Sequence, residues 1–347
     1  MSKRPSTRLT DRREPSSLAV ADLAASATRT STNRSYADAR VRFHAWWCLQ
    51  PVRKRSIIGF DSQLATYLTE LFNTRRGGVS LARHTFFGLL AVAPHLKMRL
   101  HLSYRCLRAY IRLRPSVSWP PMPWPVVLAV AEYLASVGKL REGVAVLVSA
   151  HCWLRVGEVV GLRHENFAAS NDVRLGMVLP YAVLTVHDTK TKRFDSVEVT
   201  RRDVAALLSW MQDGIGTRLF PFTRSHLEDS LRAACNALGL AHCGYVWHSL
   251  RHGGATDACL GHMPFYDIML RGRWQSERSA RLYCQTGRAL LLQHSLPESV
   301  VTRGRELDSN VLALFRKATR SIHSLSSNNT PKPSGTKKAT FIFTSSL

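Results

Sequence analysis

The stretch RPSVSWPPMPWP, Arg114 to Pro125, limits what this chain can become, because it carries five prolines: Pro115, Pro120, Pro121, Pro123 and Pro125. Each proline fixes its own φ, lacks an amide hydrogen and pushes the residue before it out of the helical region. No helix or central strand crosses such a segment. Residues 115–125 therefore read as an extended interdomain connector, and the chain as two separately folding parts. Trp119 and Trp124 within it are expected to pack against a domain.

Ahead of the prolines, YADARVRFHAWWCL, FDSQLATYLTELF, SLARHTFFGLLAVAPHL and LSYRCLRAYIRL repeat apolar residues at helical spacing, with no strand-like alternation. This predicts a small helical domain over 35–114. Residues 1–34, opening MSKRPSTRLTDRREPSS, lack the apolar core of a signal peptide and read as a disordered basic arm; acidic residues weaken a transit-peptide reading.

Beyond the connector, PVVLAVAEYLASVG and LREGVAVLVSAHCWL read as two helices, the second nearly all apolar and so central. MVLPYAVLTVHDTKTKRFDSVEVT reads as two strands around a lysine-rich tip, with β-branched residues on both arms. Helical patterns resume and last to about residue 295. The expected fold class is mainly α with a small β-sheet (α+β), a mixed domain spanning 126–295. Residues 296–347 turn polar and basic, with SSNNTPKPSGTKK low in core-forming residues, and read as a mostly flexible tail.

The charge balance narrows the partner. The chain has 48 Lys and Arg against 24 Asp and Glu, a net charge of +24, which suits a polyanion such as DNA or RNA; the alternative is a ribosome-associated or merely basic protein. With 45% hydrophobic residues it is too apolar for a wholly disordered chain. Seven cysteines, an odd number without a C-x-x-C, read as reduced thiols of an intracellular protein. His242, Cys243 and His248 are potential metal ligands, but no paired spacing completes a zinc set. No apolar run reaches the length of a membrane span.

Four segments together supply what metal-free phosphoryl transfer on a nucleic acid needs: cations on the nonbridging oxygens, a nucleophile, an acid and a base. In LRVGEVVGLRHENF, Arg155 ends an apolar run and Glu158, three residues on, shares its helical face; the pair reads as an oriented phosphate clamp or as a surface ion pair. The tip HDTKTKR presents Lys190, Lys192 and Arg193, as a proton donor to a leaving oxygen or as a nonspecific grip on phosphate. In HSLRHGGAT, His248 and Arg251 project from one face of a helix, with His252 and Gly253 beyond. In LRGRWQSERSARLYCQTGR, Tyr283 lies among Arg278, Arg281 and Arg288, as a nucleophile or as a core aromatic.

In this order the segments resemble the tyrosine recombinase/integrase family. LRVGEVVGL matches the first arginine box, TKTKR the hairpin lysine, HSLRH the H-x-x-R box, GRW the His/Trp position and SARLY the nucleophile. Trp274 follows Arg251 by 23 residues and Tyr283 follows Trp274 by nine, intervals that fit the family pattern. The match covers about residues 120 to 295, and 35–114 is similar to the family's core-binding domain in position and size. The resemblance implies that Arg155 and Arg251 clamp a scissile phosphate, Tyr283 attacks it to form a 3′-phosphotyrosyl link, Lys190 is the general acid, His248 assists as general base and Trp274 donates its indole N–H. Glu158 would support the clamp, and Lys192 and Arg193 would bind DNA. Trp274 departs from the histidine that many members carry, and Lys192 competes with Lys190.

The implied protein is a site-specific recombinase or integrase of double-stranded DNA that works without cofactor or metal, as a DNA-dependent homo-oligomer, a tetramer on synapsed sites. The wording of HSLRHGGATDACL is similar to integrases of eukaryotic mobile elements, which implies a nuclear location; otherwise the cytoplasm is expected. The alternatives are a catalytically inactive, recombinase-derived DNA-binding protein and a type IB topoisomerase-like relaxing enzyme.

Overall fold

The helical spacing ahead of the prolines becomes four helices: α1 (Thr30–Cys48), α2 (Ile57–Thr74), α3 (Gly78–Val92) and α4 (His101–Leu113). A computed structural model describes residues 26–52, 56–115, 118–188, 193–211 and 217–318. It divides into two compact units between Val117 and Ser118. In the first unit α1 packs on α3 and α2 on α4, around Phe43, Leu64, Leu68, Phe86, Leu107 and Tyr110.

One buried carboxylate ties that unit together. Leu100, preceding α4, has no side chain that can cap it, and Asp61 of α2 takes the role from across the core. Its oxygens accept from Leu102 N (2.8 Å), Ser103 N (2.9 Å) and Ser103 Oγ (2.5 Å), satisfying donors that a helix start leaves open. Asp61→Ala is expected to destabilise the first unit by about 1–3 kcal/mol, since it strands buried donors. Denaturant unfolding of the full chain, followed by the α1 and α2 tryptophan and tyrosine signal, checks this; a change below about 0.5 kcal/mol, the ordinary surface value, would refute the cap.

The second unit is built on α5 (Trp124–Ser136) and α6 (Leu140–His151). Every residue of α6 from Glu142 to Ala150 is buried, as its nearly all-apolar character predicts. The short helix α7 (Val156–Gly161) follows, and then a three-stranded antiparallel sheet in the order β1 (Phe167–Ala168), β2 (Ala182–Asp188), β3 (Arg193–Val199). Ala182, Leu184 and Val186 turn inward on β2, and Val197 and Val199 opposite them on β3, with Leu184 paired to Val197. The observed class is mainly α with a small sheet. The strand β1 escapes sequence reading because two residues carry no alternation.

After α8 (Arg202–Trp210) and α9 (Arg224–Ala237) come α10 (Trp247–Leu260), α11 (Phe265–Gly272), α12 (Glu277–Arg281), α13 (Thr286–Gln293) and α14 (Glu298–Leu307). The segment read as a flexible tail is ordered over its first part. α14 lies along α5, residues 311–318 are also helical, and Leu296, Val300, Leu307, Val311 and Phe315 complete the core. Those five fall at helical spacing among charged neighbours, and the charge hid the pattern. Trp124 Nε1 and Arg201 Nη1 both donate to Asp308 Oδ1, at 2.8 Å each, which fixes the end of α14.

The proline segment is likewise more than a connector. Pro120, Pro121 and Met122 are buried, Met122 N donates to Ser249 O at 3.0 Å, and Pro125 occupies the first turn of α5. Gly253 of α10 lies so close to the Met122 carbonyl that a Cβ there would collide with it. Its neighbour Gly254 is pressed in the same way against the Trp153 indole. The Gly-Gly pair is thus demanded by packing on two sides of α10.

Candidate active site

The site is assembled where α6 ends. A helix leaves its last carbonyls without partners and concentrates negative partial charge there. Arginines supply the partners: Arg271 Nη2 donates to His151 O (2.8 Å), Arg273 Nη1 to Cys152 O (3.3 Å), and Arg273 Nη2 (3.2 Å) and Arg251 Nη1 (2.5 Å) to Trp153 O. Arg251 Nη2 also donates to Gly272 O. Trp153 and Arg273 both hold positive φ, 51° and 56°, a conformation that side chains with a Cβ disfavour and that tertiary contacts must sustain.

Arg155 does not end a helix, as its apolar approach suggested; it is the N-cap of α7. Glu158 reaches back to accept Arg155 N at 2.9 Å and pairs with Arg155 Nη1 at 2.6 Å. The same carboxylate holds Arg273 Nη2 at 2.9 Å and lies 3.9 Å from Arg251 Nη1. The pair is therefore no surface i, i+3 bridge. The Glu158 side chain is 4% exposed, Arg251 0% and Arg273 6%, whereas Arg155 keeps 33% open to solvent.

Among the described residues, no other carboxylate pairs with Arg251 or Arg273. Two buried guanidiniums thus converge on one negative charge, and Arg155 pairs with the same carboxylate. Burial, then the charges of Arg273 and Arg155, pull the Arg251 pKa below its ordinary value. A guanidinium starts so high that Arg251 remains a cation. Arg251 Nε, Arg273 Nε and Trp274 Nε1 are buried without an acceptor among the described residues, which leaves the cluster short of both negative charge and hydrogen-bond acceptors.

The first turn of α10 places His248 and Arg251 together, as their spacing predicts. His248 Nε2 is 3.1 Å from the Tyr283 hydroxyl. Burial, then the charges of Arg251 and Arg155, lower the His248 pKa to about 4, so its ring is neutral at pH 7. In the neutral tautomer that carries its proton on Nδ1, His248 Nε2 accepts the Tyr283 O–H.

Tyr283 itself sits in a turn between α12 and α13 and not within a helix, contrary to the helical pattern around it. Its backbone is tied to α10 instead: Thr256 Oγ1 donates to Tyr283 O (3.0 Å) and accepts from Gln285 N (3.1 Å). Its ring lies 4.6 Å from Trp274 and 4.5 Å from His252, and the Arg251 guanidinium carbon is 5.4 Å from the ring centre. Trp274 and Tyr283 belong to a small apolar cluster with Trp153, Ala255, Ile268 and Ala280, which floors the site.

Of the residues singled out from sequence, Arg155, Glu158, His248, Arg251, Trp274 and Tyr283 come together here. Lys190 and Lys192 lie outside the described residues, and Arg193 is described only as the first residue of β3. Arg281 turns to Glu277 and Arg288 to the Ser118 carbonyl. Sequence reading missed Arg273; the only signal was its place beside Trp274 in GRW. Among the described residues, no group of three His, Cys, Asp or Glu is arranged to hold a metal ion, and no helix is long and apolar enough to cross a membrane.

Three histidines of this unit, His252 buried and His151 and His248 partly buried, set its acid response. His248 and His252 have pKa values lowered to about 4, and His151 to about 3, each by burial first. An unfolded chain binds protons on them near 6.5, so between pH 6.5 and 4 the unfolded state holds more protons and stability falls as pH falls. Asp257, raised to about 6 by burial, acts in the opposite direction but is one group against three. The unfolding midpoint is expected to drop steadily from pH 7 to pH 4.5; a flat or rising profile contradicts the neutral histidines.

No family profile and no curated protein matches this sequence. Solved structures do. A lambda integrase dimer bound to a COC′ core site superposes with a TM-score of 0.55 at 13% identity, over 77% of this chain and 75% of that one. XerH site-specific recombinase bound to a palindromic difH substrate gives 0.55 at 13%, over 76% and 78%. The Tn1549 transposon integrase in complex with transposon right end DNA gives 0.53 at 11%, over 80% and 100%. At such identity the likeness concerns architecture alone: the chain has the fold of the tyrosine recombinase/integrase structures.

Proposed function

We propose that this protein is a site-specific DNA recombinase or integrase that cuts and rejoins duplex DNA through a 3′-phosphotyrosyl intermediate. One observation carries the reading: a tyrosine hydroxyl rests on a neutral histidine beside a cluster of guanidiniums that share a single carboxylate. A phosphodiester supplies the missing charge and acceptors. Simple DNA binding gives no reason to seat a tyrosine hydroxyl on a base at that place.

In the proposed reaction Arg155 and Arg251 hold the nonbridging oxygens and Trp274 lends its indole N–H. Tyr283 Oη forms a bond to phosphorus as the bond to the 5′ oxygen breaks; the tyrosine proton passes to His248, and Lys190 gives a proton to the departing oxygen. Lys190 has this role by family resemblance alone. The phosphotyrosine keeps the bond energy, and the freed 5′-hydroxyl of a second strand reverses the attack. Arg273 pairs with Glu158 and so steadies the clamp.

Duplex DNA is the proposed partner of the first unit as well. On α4, Arg105, Arg108 and Arg112 are exposed along one stripe, while Ser103, Leu107 and Tyr110 are buried on another. Leu290 and Leu291 on α13 are 51% and 76% exposed, which supports contacts between protomers in a DNA-dependent oligomer. The wording of the HSLRHGGATDACL segment favours a nuclear site of action.

The test uses a library of nicked suicide duplexes with a randomised core, in which cleavage releases a short 5′ strand and traps the covalent product. Recovery of a protein–DNA adduct that survives denaturation is the expected result. DNA binding with no adduct from any duplex would make the protein a recombinase-derived DNA binder, and plasmid relaxation without strand exchange would make it a topoisomerase-like enzyme.

A further inference from the structure

His252 follows Arg251 on α10 and is 4% exposed. Its ring stacks on Tyr283, the planes inclined by only 22°, and its Nδ1 lies 2.8 Å from the side-chain nitrogen of Gln285. Gln285 Oε1 accepts from Arg288 Nη1 at 3.2 Å, which fixes the amide so that its NH2 faces the histidine. Nδ1 of His252 is then the acceptor and Nε2 carries the ring proton. The same NH2 donates to Ser118 Oγ at 2.8 Å, and Arg288 Nη1 donates to Ser118 O at 2.5 Å.

The turn that carries Tyr283 has little of its own to hold a side chain. It follows a helix of five residues, and its neighbour Leu282 is 64% exposed. Thr256 fixes the Tyr283 backbone and His248 meets the hydroxyl, but neither contact sets the ring plane, and Trp274, at 4.6 Å, is tilted to the ring by 36° where His252 is inclined by 22°. A stacked ring sets that plane, and a nucleophile displaced by about 1 Å loses on the order of 100-fold in rate.

We propose that His252, oriented by Gln285, is a positioning residue that holds the Tyr283 ring in its attacking orientation by stacking. In this role it acts through the Tyr283 ring and not on the phosphate or the leaving oxygen. The proposal rests on Tyr283 being the nucleophile.

The experiment measures single-turnover adduct formation by the full chain on a suicide duplex recovered from the randomised library, with DNA affinity and thermal midpoint measured alongside. His252→Ala is expected to slow adduct formation by about 10-fold with unchanged affinity, whereas His252→Phe, which keeps a flat ring, stays within about 3-fold of wild type. Gln285→Ala slows the wild-type background and has no further effect on His252→Phe, because only a histidine needs the amide to orient it. A duplex with sulfur in place of the bridging 5′ oxygen needs no proton for its leaving group, so the His252→Ala defect persists on it.

Wild-type rates in His252→Ala, equal losses in Phe and Ala, or rescue by the bridging sulfur would each overturn the positioning role. If His252→Ala does not fold, the Phe and Gln285 variants decide. Failure of the wild-type chain to form any adduct removes the functional reading and this inference together; an adduct insensitive to position 252 removes only the inference.

Discussion

Tyr283→Phe will abolish the covalent DNA adduct while leaving DNA affinity within about 2-fold, since the phenyl ring keeps the packing and the hydrogen bond lost is internal to the protein. The ring contacts to His252 and Trp274 do not involve the hydroxyl. No neighbour takes its place: burial, then the Cys259 thiol, hold the Cys284 thiol pKa well above its ordinary value, so Cys284 offers no thiolate at neutral pH. Denaturing gels of the trapped duplex read the adduct, and fluorescence anisotropy reads the affinity. An adduct of undiminished yield in Tyr283→Phe would assign the nucleophile elsewhere.

Glu158→Ala is expected to cost the second unit about 3–5 kcal/mol, the range for removing one partner of a buried ion pair. Three effects coincide. Arg251 and Arg273 lose the carboxylate they share, Arg155 loses its 2.6 Å partner, and Arg155 N loses the acceptor that begins α7. Sulfate is expected to restore part of the loss by binding the unopposed guanidiniums, because a ligand of the folded state alone raises stability by mass action. Denaturant titrations in chloride and in sulfate check both statements, with the ionic strength matched. A loss under about 1 kcal/mol in chloride, typical of an exposed pair, would mean that the arginines are not held by Glu158.

Much of the site was legible in the order and spacing of short segments. Arg155 with Glu158, His248 with Arg251, and Trp274 nine residues before Tyr283 announced themselves, since local spacing on helices decides which side chains share a face. Arg273 was visible as a letter in GRW but not as a participant, because its importance comes from Glu158, 115 residues earlier. The turn at Tyr283 was hidden for a related reason. SARLYCQTGRALL continues a helical pattern, and Thr256 on another helix takes the carbonyl of Tyr283 and the amide of Gln285 that such a helix would have used.

The fold divides in the same way. α6 was legible because a nearly all-apolar run leaves few alternatives to a central helix, and the β2–β3 hairpin because its inward residues alternate. The helices after Leu296 were not, since the five residues they bury are outnumbered by charges and have meaning only against the face of α5.

The sequence by itself determined the class of the fold, the basic charge and the residue types of the proposed phosphate site, because these depend on composition and on spacing within one element. Tertiary structure alone decided that Arg251 and Arg273 lie buried around one carboxylate, that His248 is neutral and that the Tyr283 hydroxyl rests on it. Burial and Coulomb interaction depend on distance in space, and the groups concerned come from four separate stretches of the chain.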